Sequence, residues 1–282
     1  MRIGSHQRTG KGLGDAIERA ASIGCETVQV FAANPSAWHT RAIPVDVATV
    51  FRSLTGRYDI RPTVIHTQYL LNLATSDEAV YARSVNALAD SLVRADALGA
   101  EMVVTHIGSH SGLGMEPGIR RVQDAVRNVL TGSDSPALLL LENSAGAGDL
   151  VGSRFEELRA ILDGLPEFGG RLGICLDTAH LWGAGYDVSD SEAVSRAMDE
   201  FDSLVGLEWL KLVHLNDSRS KLGSRSDRHA NIGQGEIGIA GIAAFMKHPA
   251  LADMTVIIET PAQSPDDHAR DIALLKELRG QL

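Results

Sequence analysis

Met102-Val-Val-Thr-His106, Ala137-Leu-Leu-Leu-Leu-Glu142, Leu172-Gly-Ile-Cys-Leu-Asp177 and Leu210-Lys-Leu-Val-His214 decide the fold. Each is a short apolar run that ends on one histidine or carboxylate. Apolar residues on successive positions suit strands buried on both faces of a parallel sheet. Working outward, similar runs read as strands at Arg2–Gly4, Thr27–Phe31, Thr63–His66 and Thr255–Glu259. Between them lie amphipathic stretches, among them Gly12–Ile23, Ser76–Leu98, Ile119–Leu130, Ser153–Leu162, Ser191–Val205 and Asp266–Leu278. In Ser76–Leu98 the apolar Tyr81, Val85, Leu88, Leu92, Ala95 and Leu98 recur at helical spacing. Eight strand–helix units in 282 residues predict an α/β fold, a single (β/α)8 TIM barrel. The rival, a doubly wound sheet, commonly carries a Gly-rich phosphate turn after its first strand. Here that turn reads Gly4-Ser-His-Gln7, and the GxGxxG at Gly233–Gly238 comes late and without a preceding strand. No linker or repeat divides the chain, so one domain is expected over 1–282.

Composition bounds the function. At 44% hydrophobic, a chain of this length can bury a large core without staples. Two cysteines, Cys25 and Cys175, exclude a disulfide scaffold and point to a reducing compartment. No apolar leader core opens the sequence, and no run approaches the ~18 apolar residues of a membrane span. A cytoplasmic monomer with no membrane partner is expected. The net charge of −10 argues against non-specific nucleic-acid binding, unless many carboxylates hold cations and so reset the local field.

The strand ends carry the chemistry. His66, His106, Glu142, Asp177, His214 and Glu259 close six of the eight runs. In a barrel these ends converge on one rim, where such folds place their sites. A lone histidine there is ordinarily a packing residue, whereas a buried carboxylate is costly unless it is paired. Six ligand-type side chains on one rim predict a metal centre. Asp177-Thr-Ala-His180 and Asp227-Arg-His229 bring the number to nine. One zinc takes about four ligands, so nine suit two or three ions. Mixed imidazole and carboxylate favours zinc, or manganese in part, over magnesium or a thiolate-bound metal. Cys175, two before Asp177, reads as a small buried hydrophobe. His6, just past the first strand, reads either as packing or as a neighbour of the site. His39, His110, His248 and His268 read as surface or loop residues.

At these residues the chain resembles endonuclease IV, the zinc-dependent apurinic/apyrimidinic endonuclease family of the xylose-isomerase-like barrels. The matching stretches include Val64-Ile-His-Thr-Gln-Tyr-Leu-Leu-Asn-Leu73, Val104-Thr-His-Ile-Gly-Ser-His110, Leu141-Glu-Asn-Ser-Ala-Gly-Ala-Gly148, Leu176-Asp-Thr-Ala-His180 and Gly185-Tyr-Asp187. The longest is His214-Leu-Asn-Asp-Ser-Arg-Ser-Lys-Leu-Gly-Ser-Arg-Ser-Asp-Arg-His229, followed by Gly233-Gln-Gly235 and Ile258-Glu-Thr260.

The resemblance implies three metal sites, with about three zinc ions per chain. His66, His106 and Glu142 would form the first. Glu142 would bridge to a second completed by Asp177, His214 and Glu259. His180, Asp227 and His229 would hold the third. It further implies hydrolysis of the phosphodiester 5′ to an abasic site in double-stranded DNA by a metal-bridged hydroxide that Glu142, the catalytic residue, positions or deprotonates. The products would be a 3′-hydroxyl and a 5′-deoxyribose phosphate, and trimming of blocked 3′ ends is a related activity. Tyr69 and Leu70 would wedge into the minor groove at the lesion. Arg219, Lys221, Arg225 and Arg228 form a basic loop that reads as a phosphate track. One departure is visible: Ser36 stands where the family often has a basic DNA-inserting residue.

Two other readings remain at this stage. A sugar isomerase or epimerase on the same barrel would use Glu142, Asp177, His214 and Glu259, with no evident need for His180, Asp227 and His229. A non-catalytic binder of damaged DNA would need zinc only for structure.

Overall fold

The computed structural model describes residues 1–262 and 265–281. Strands β1 (Arg2–Gln7), β2 (Thr27–Phe31), β3 (Thr63–His66), β4 (Met102–His106), β5 (Leu138–Glu142), β6 (Leu172–Asp177), β7 (Leu210–His214) and β10 (Thr255–Ile258) close in that order into a barrel. Every neighbouring pair is parallel, and β10 pairs back onto β1. Two short strands, β8 (Asp217–Ser218) and β9 (His229–Ala230), form an antiparallel ladder beside the barrel. The helices are α1 (Leu13–Ser22), α2 (Val45–Tyr58), α3 (Glu78–Leu98), α4 (Met115–Thr131), α5 (Phe155–Asp163), α6 (Thr178–Ala184), α7 (Ser191–Leu204), α8 (Gly238–Lys247) and α9 (Pro265–Gly280). None of the described helices is long and apolar enough to cross a membrane.

Strand alternation divides the core in two. Outward residues such as Val28, Val30, Val103, Leu139, Leu141 and Ile174 pack against the helices in one large cluster. Inward residues Val64, Val104, Leu140, Cys175, Leu212 and Ile257 fill the barrel as a second, small cluster. Two positions further along each of those strands lies His66, His106, Glu142, Asp177, His214 or Glu259. The period of two therefore stacks each ligand-type side chain one layer above an apolar plug.

Three local outcomes differ from the sequence reading. Strand β1 runs to Gln7 rather than Gly4, so His6 lies within it and points inward with the site. Helix α2 is not evident from periodicity, because Val45, Val47, Thr49, Val50 and Thr55 dilute the helical pattern with β-branched residues. Helix α6 is too short to show as an element in the sequence. It starts directly at the end of β6, and Asp177 caps it by accepting from the His180 N–H at 2.8 Å.

Candidate metal centre

The rim brings the ligand-type residues together in three sets whose donor atoms lie within 4.8 Å of one another: His66, His106 and Glu142; Glu142, Asp177, His214 and Glu259; and Asp177, His180 and His229. Glu142 is common to the first two sets, and Asp177 to the last two. Glu142 Oε2 lies 3.1 Å from His66 Nε2 and 3.2 Å from His106 Nε2. Its Oε1 lies 3.0 Å from His214 Nδ1 and 3.4 Å from His180 Nδ1. Asp227 is half exposed and reaches in from its loop, with one oxygen 3.2 Å from His180 Nε2 and the other 3.1 Å from His229 Nε2. The structure thus adds Asp177 to the group expected from His180, Asp227 and His229.

These spacings fit a cation. Ligands ~2.0–2.1 Å from a tetrahedral zinc stand ~3.3 Å apart, the separation seen between many of these donor atoms. His229 Nε2 is buried and makes no hydrogen bond, although it lies 3.1 Å from Asp227 Oδ1 and 3.5 Å from Asp177 Oδ2. A nitrogen set among carboxylate oxygens in this way is what a bound cation satisfies. The electrostatics agree. Burial opposes a proton on His229, but the Asp177 and Asp227 carboxylates outweigh it and hold its pKa at about 9. Burial likewise opposes a charged His180, and Asp177, Asp227 and Glu142 raise it well above the ordinary value. Burial pushes Glu142 up, yet His106 and His214 hold it well below the carboxylate range. Protons on imidazole are the counter-charge of the metal-free centre, and metal binding would displace them.

The match to known proteins is full-length. Residues 17–278 fit the family model described as xylose isomerase-like TIM barrel. The chain is 39% identical over 279 residues to "Probable endonuclease 4" of Halothermothrix orenii, covering 99% of each. The crystal structure of endonuclease IV from Thermus thermophilus superposes with a TM-score of 0.88 at 37% identity, covering all of both chains. The chain belongs to the endonuclease IV family. A D-tagatose 3-epimerase-like protein also superposes, with a TM-score of 0.77 at 20% identity over 100% of this chain and 98% of that one, which reflects the shared barrel alone.

Much of the sequence that marks endonuclease IV here supports the ligand-type residues rather than adding to them. Asn143 Oδ1 accepts from the Asp177 N–H at 2.6 Å. Asn216 is fully buried; its amide donates to Asp177 Oδ2 at 2.6 Å and accepts from the Glu259 N–H at 2.7 Å. Asp217 accepts from the N–H groups of Gly235, Ile237 and Gly238. Those bonds pull the Gly233-Gln-Gly235 turn so close that a Cβ at Gly235 would collide with the Ser218 carbonyl. The β8–β9 ladder then returns the chain so that His229 reaches the rim.

A cleft of about 900 Å³ opens over the centre. Arg219 and Arg228 line it on one flank. Arg8 and Lys11, from the loop after β1, line another part of it, and the sequence reading did not identify them. Lys221 and Arg225 are exposed on the outer limb of their loop and are not among the described lining residues. Tyr69 stands at the mouth, 61% exposed, its ring edge-on to Phe31 with centroids 5.0 Å apart. Leu70 beside it is half-buried, and Ser36 is exposed.

Proposed function

We propose that this chain hydrolyses the phosphodiester bond 5′ to abasic sites in double-stranded DNA, and that it trims blocked 3′ ends. In this reading it leaves a 3′-hydroxyl and a 5′-deoxyribose phosphate, acting as a monomer with about three zinc ions, or manganese in part. The observation that carries the reading is the third ligand set, His180 and His229 with Asp177 and Asp227, joined to the Glu142 pair. A sugar isomerase on this barrel has no evident use for that set. A purely structural zinc would not call for ligand sets that share carboxylates beneath an open cleft.

His66, His106 and Glu142 would hold one ion, with Glu142, Asp177, His214 and Glu259 holding a second. His180, Asp227 and His229 would hold the third, with Asp177 at hand. When bound, such ions neutralise phosphate charge and bring the pKa of water within reach of neutral pH. Three of them would add about six positive charges, which reverses the local sign of an otherwise acidic chain. Glu142 is the catalytic residue: buried and ionised, it ties the first two sets together and can orient the attacking water and accept its proton. Arg219 and Arg228 on one flank, with Arg8 and Lys11 elsewhere on the cleft, hold backbone phosphates. Lys221 and Arg225 extend that track outward. Tyr69 and Leu70 occupy the gap beside an unstacked nucleotide.

The test is incision of a duplex with one abasic site, beside an intact duplex and a panel of ketose and aldose sugars. Incision 5′ to the abasic site, abolished by a chelator and restored by zinc, is the expected result. Sugar isomerisation without nicking would overturn it.

A further inference from the structure

Gln29 lies in the middle of β2, between the outward Val28 and Val30, and points into the barrel. It is level with Val64 of β3 and is fully buried. At comparable inward positions β3, β4, β5, β7 and β10 carry Val64, Val104, Leu140, Leu212 and Ile257. A polar amide at this depth is costly unless every bond is made. Gln29 makes its two shortest contacts with two of the nine ligand-type residues, and its Nε2 also lies 3.0 Å from His6 Nδ1. Its Nε2 donates to Glu259 Oε1 at 2.6 Å, and its Oε1 lies 2.9 Å from His214 Nε2.

The chemistry fixes the direction of both bonds. An ionised carboxylate only accepts, so the amide nitrogen must face Glu259. The amide oxygen therefore faces His214, and an amide oxygen also only accepts. His214 must then keep a proton on Nε2, so Nδ1 is the nitrogen that gives up its proton and turns its lone pair to a cation when one binds. Nδ1 is the atom 3.0 Å from Glu142 Oε1, 3.3 Å from Glu259 Oε2 and 4.0 Å from Asp177 Oδ2. On the other side, Glu259 Oε1 is taken up by Gln29 and by His6 Nδ1 at 3.0 Å, so Oε2 is the oxygen turned toward His214.

We infer that Gln29 is the positioning residue of the second metal site. One amide sets the tautomer of His214 and selects the ligating oxygen of Glu259, so that both present their free lone pairs to the same point. The inference rests on the metal reading of this site, and it does not depend on which reaction the centre catalyses. Groups that orient metal ligands in this way are commonly worth 10–100-fold in metal affinity.

Two variants, zinc retention and two spectra test it. Gln29→Met keeps the volume and removes both hydrogen bonds. Gln29→Glu keeps an acceptor for His214 but sets a carboxylate against Glu259. Zinc per chain is measured after dialysis against graded concentrations of a chelator, and the cobalt(II)-substituted protein is read by its visible absorption. Gln29→Met is expected to release one ion at a free-metal level about 10–100-fold higher than the parent, with an altered cobalt spectrum. Gln29→Glu is expected to weaken the same ion. Nitrogen-15 NMR of the zinc-loaded protein should show His214 protonated at Nε2, and Gln29→Glu should keep that tautomer while Gln29→Met loses the preference. Unchanged zinc retention and cobalt spectrum in a folded Gln29→Met protein would overturn the inference. So would a proton on Nδ1 of His214 in the zinc-loaded parent, a result that needs no variant to fold. None of these readouts uses DNA, so a failure to nick abasic duplex would leave them standing. A parent chain that retains no zinc would overturn the metal reading and this inference together.

Discussion

Asp177 holds His180 from behind while standing beside it in one candidate ligand set. Asp177 Oδ1 accepts from the His180 N–H at 2.8 Å and so fixes the first turn of α6, and both residues belong to one ligand set. Asp177 Oδ2 meanwhile accepts from Asn216. Asp177→Asn can keep the cap through its remaining oxygen, but its new amide nitrogen meets the donor nitrogen of Asn216. In metal-free protein this should cost about 1–2 kcal/mol by urea unfolding. Zinc content should fall by more than one ion per chain, because Asp177 serves two sets. Loss of a single ion with unchanged stability would show that Asp177 serves one set only.

Glu142→Gln separates folding from chemistry. The amide preserves shape, yet it cannot balance two cations or take a proton. Incision of abasic duplex is expected to drop by about 10³-fold or more, and the metal-free protein should unfold as a single transition like the parent. Near-normal turnover would remove Glu142 from the mechanism.

Away from the rim, Glu26 closes the barrel near both ends of the chain. Its carboxylate accepts from Arg279 at 2.6 and 2.8 Å and from the Ile3 N–H at 3.0 Å, with Lys276 3.5 Å away. Burial pushes the Glu26 pKa up, but the Arg279 and Ile3 hydrogen bonds and the charges of Lys276 and Arg279 win, and it falls from 4.5 to about 2. A depressed carboxylate pKa stabilises the fold above the ordinary value and loses that contribution as pH falls through the folded value. Glu26→Gln should therefore destabilise metal-free protein by about 2 kcal/mol at pH 7. The gap between variant and parent should shrink as pH falls from 4.5 to about 2. Denaturant unfolding of both proteins across that range checks the sign, and a gap that widens toward acid would refute it.

The two cationic regions of the cleft should be separable by salt. Replacing Arg8 and Lys11 by Ala in a Glu142→Gln background should lower affinity for abasic and intact duplexes alike. The slope of log K against log salt should lose about 0.9 for each phosphate contact removed. An unchanged slope would place these residues off the DNA path.

The barrel was legible because its signal is local. Each strand is an apolar run, and the period of two sets a histidine or carboxylate at its end. Six of the nine ligand-type residues were found the same way and His180, Asp227 and His229 by their spacing just beyond the strand ends, although the sharing of Asp177 between two sets was hidden, since it depends on where α6 begins. Gln29 and Asn216 were missed because their partners lie on strands or loops distant in sequence. The signal for Gln29 was present nonetheless, as a polar residue at an inward position of Thr27-Val-Gln-Val-Phe31. Arg8 and Lys11 were missed because their loop lies beside the cleft only once β10 closes on β1.

Lesion recognition, under the proposed function, would be the least local property of the rim. Extruding an abasic nucleotide leaves a gap whose unstacking energy of a few kcal/mol must be offset. Tyr69 is suited to fill it, being exposed at the cleft mouth and braced by Phe31. Its N–H also donates to the Pro35 carbonyl at 3.0 Å, which sets the Ser36 loop directly beside it. Ser36 is too short to enter a base stack and carries no charge. Trp38, nearby, is half-buried against the core with Arg83 stacked 5.0 Å over its ring, so it is not free to take over. Under the proposed function, Tyr69 and Leu70 are therefore expected to bear the wedging. Replacing both by Ala, again with Glu142→Gln to prevent cleavage, should reduce the preference for abasic over intact duplex and leave zinc content equal to that of the Glu142→Gln protein. Ser36→Arg should tighten binding, most at low salt, because it adds one phosphate contact next to the wedge. Affinities for both duplexes across a salt series give the answer. If discrimination survives the double Ala change, the wedge is not Tyr69 and Leu70, and the lesion is read elsewhere on the rim.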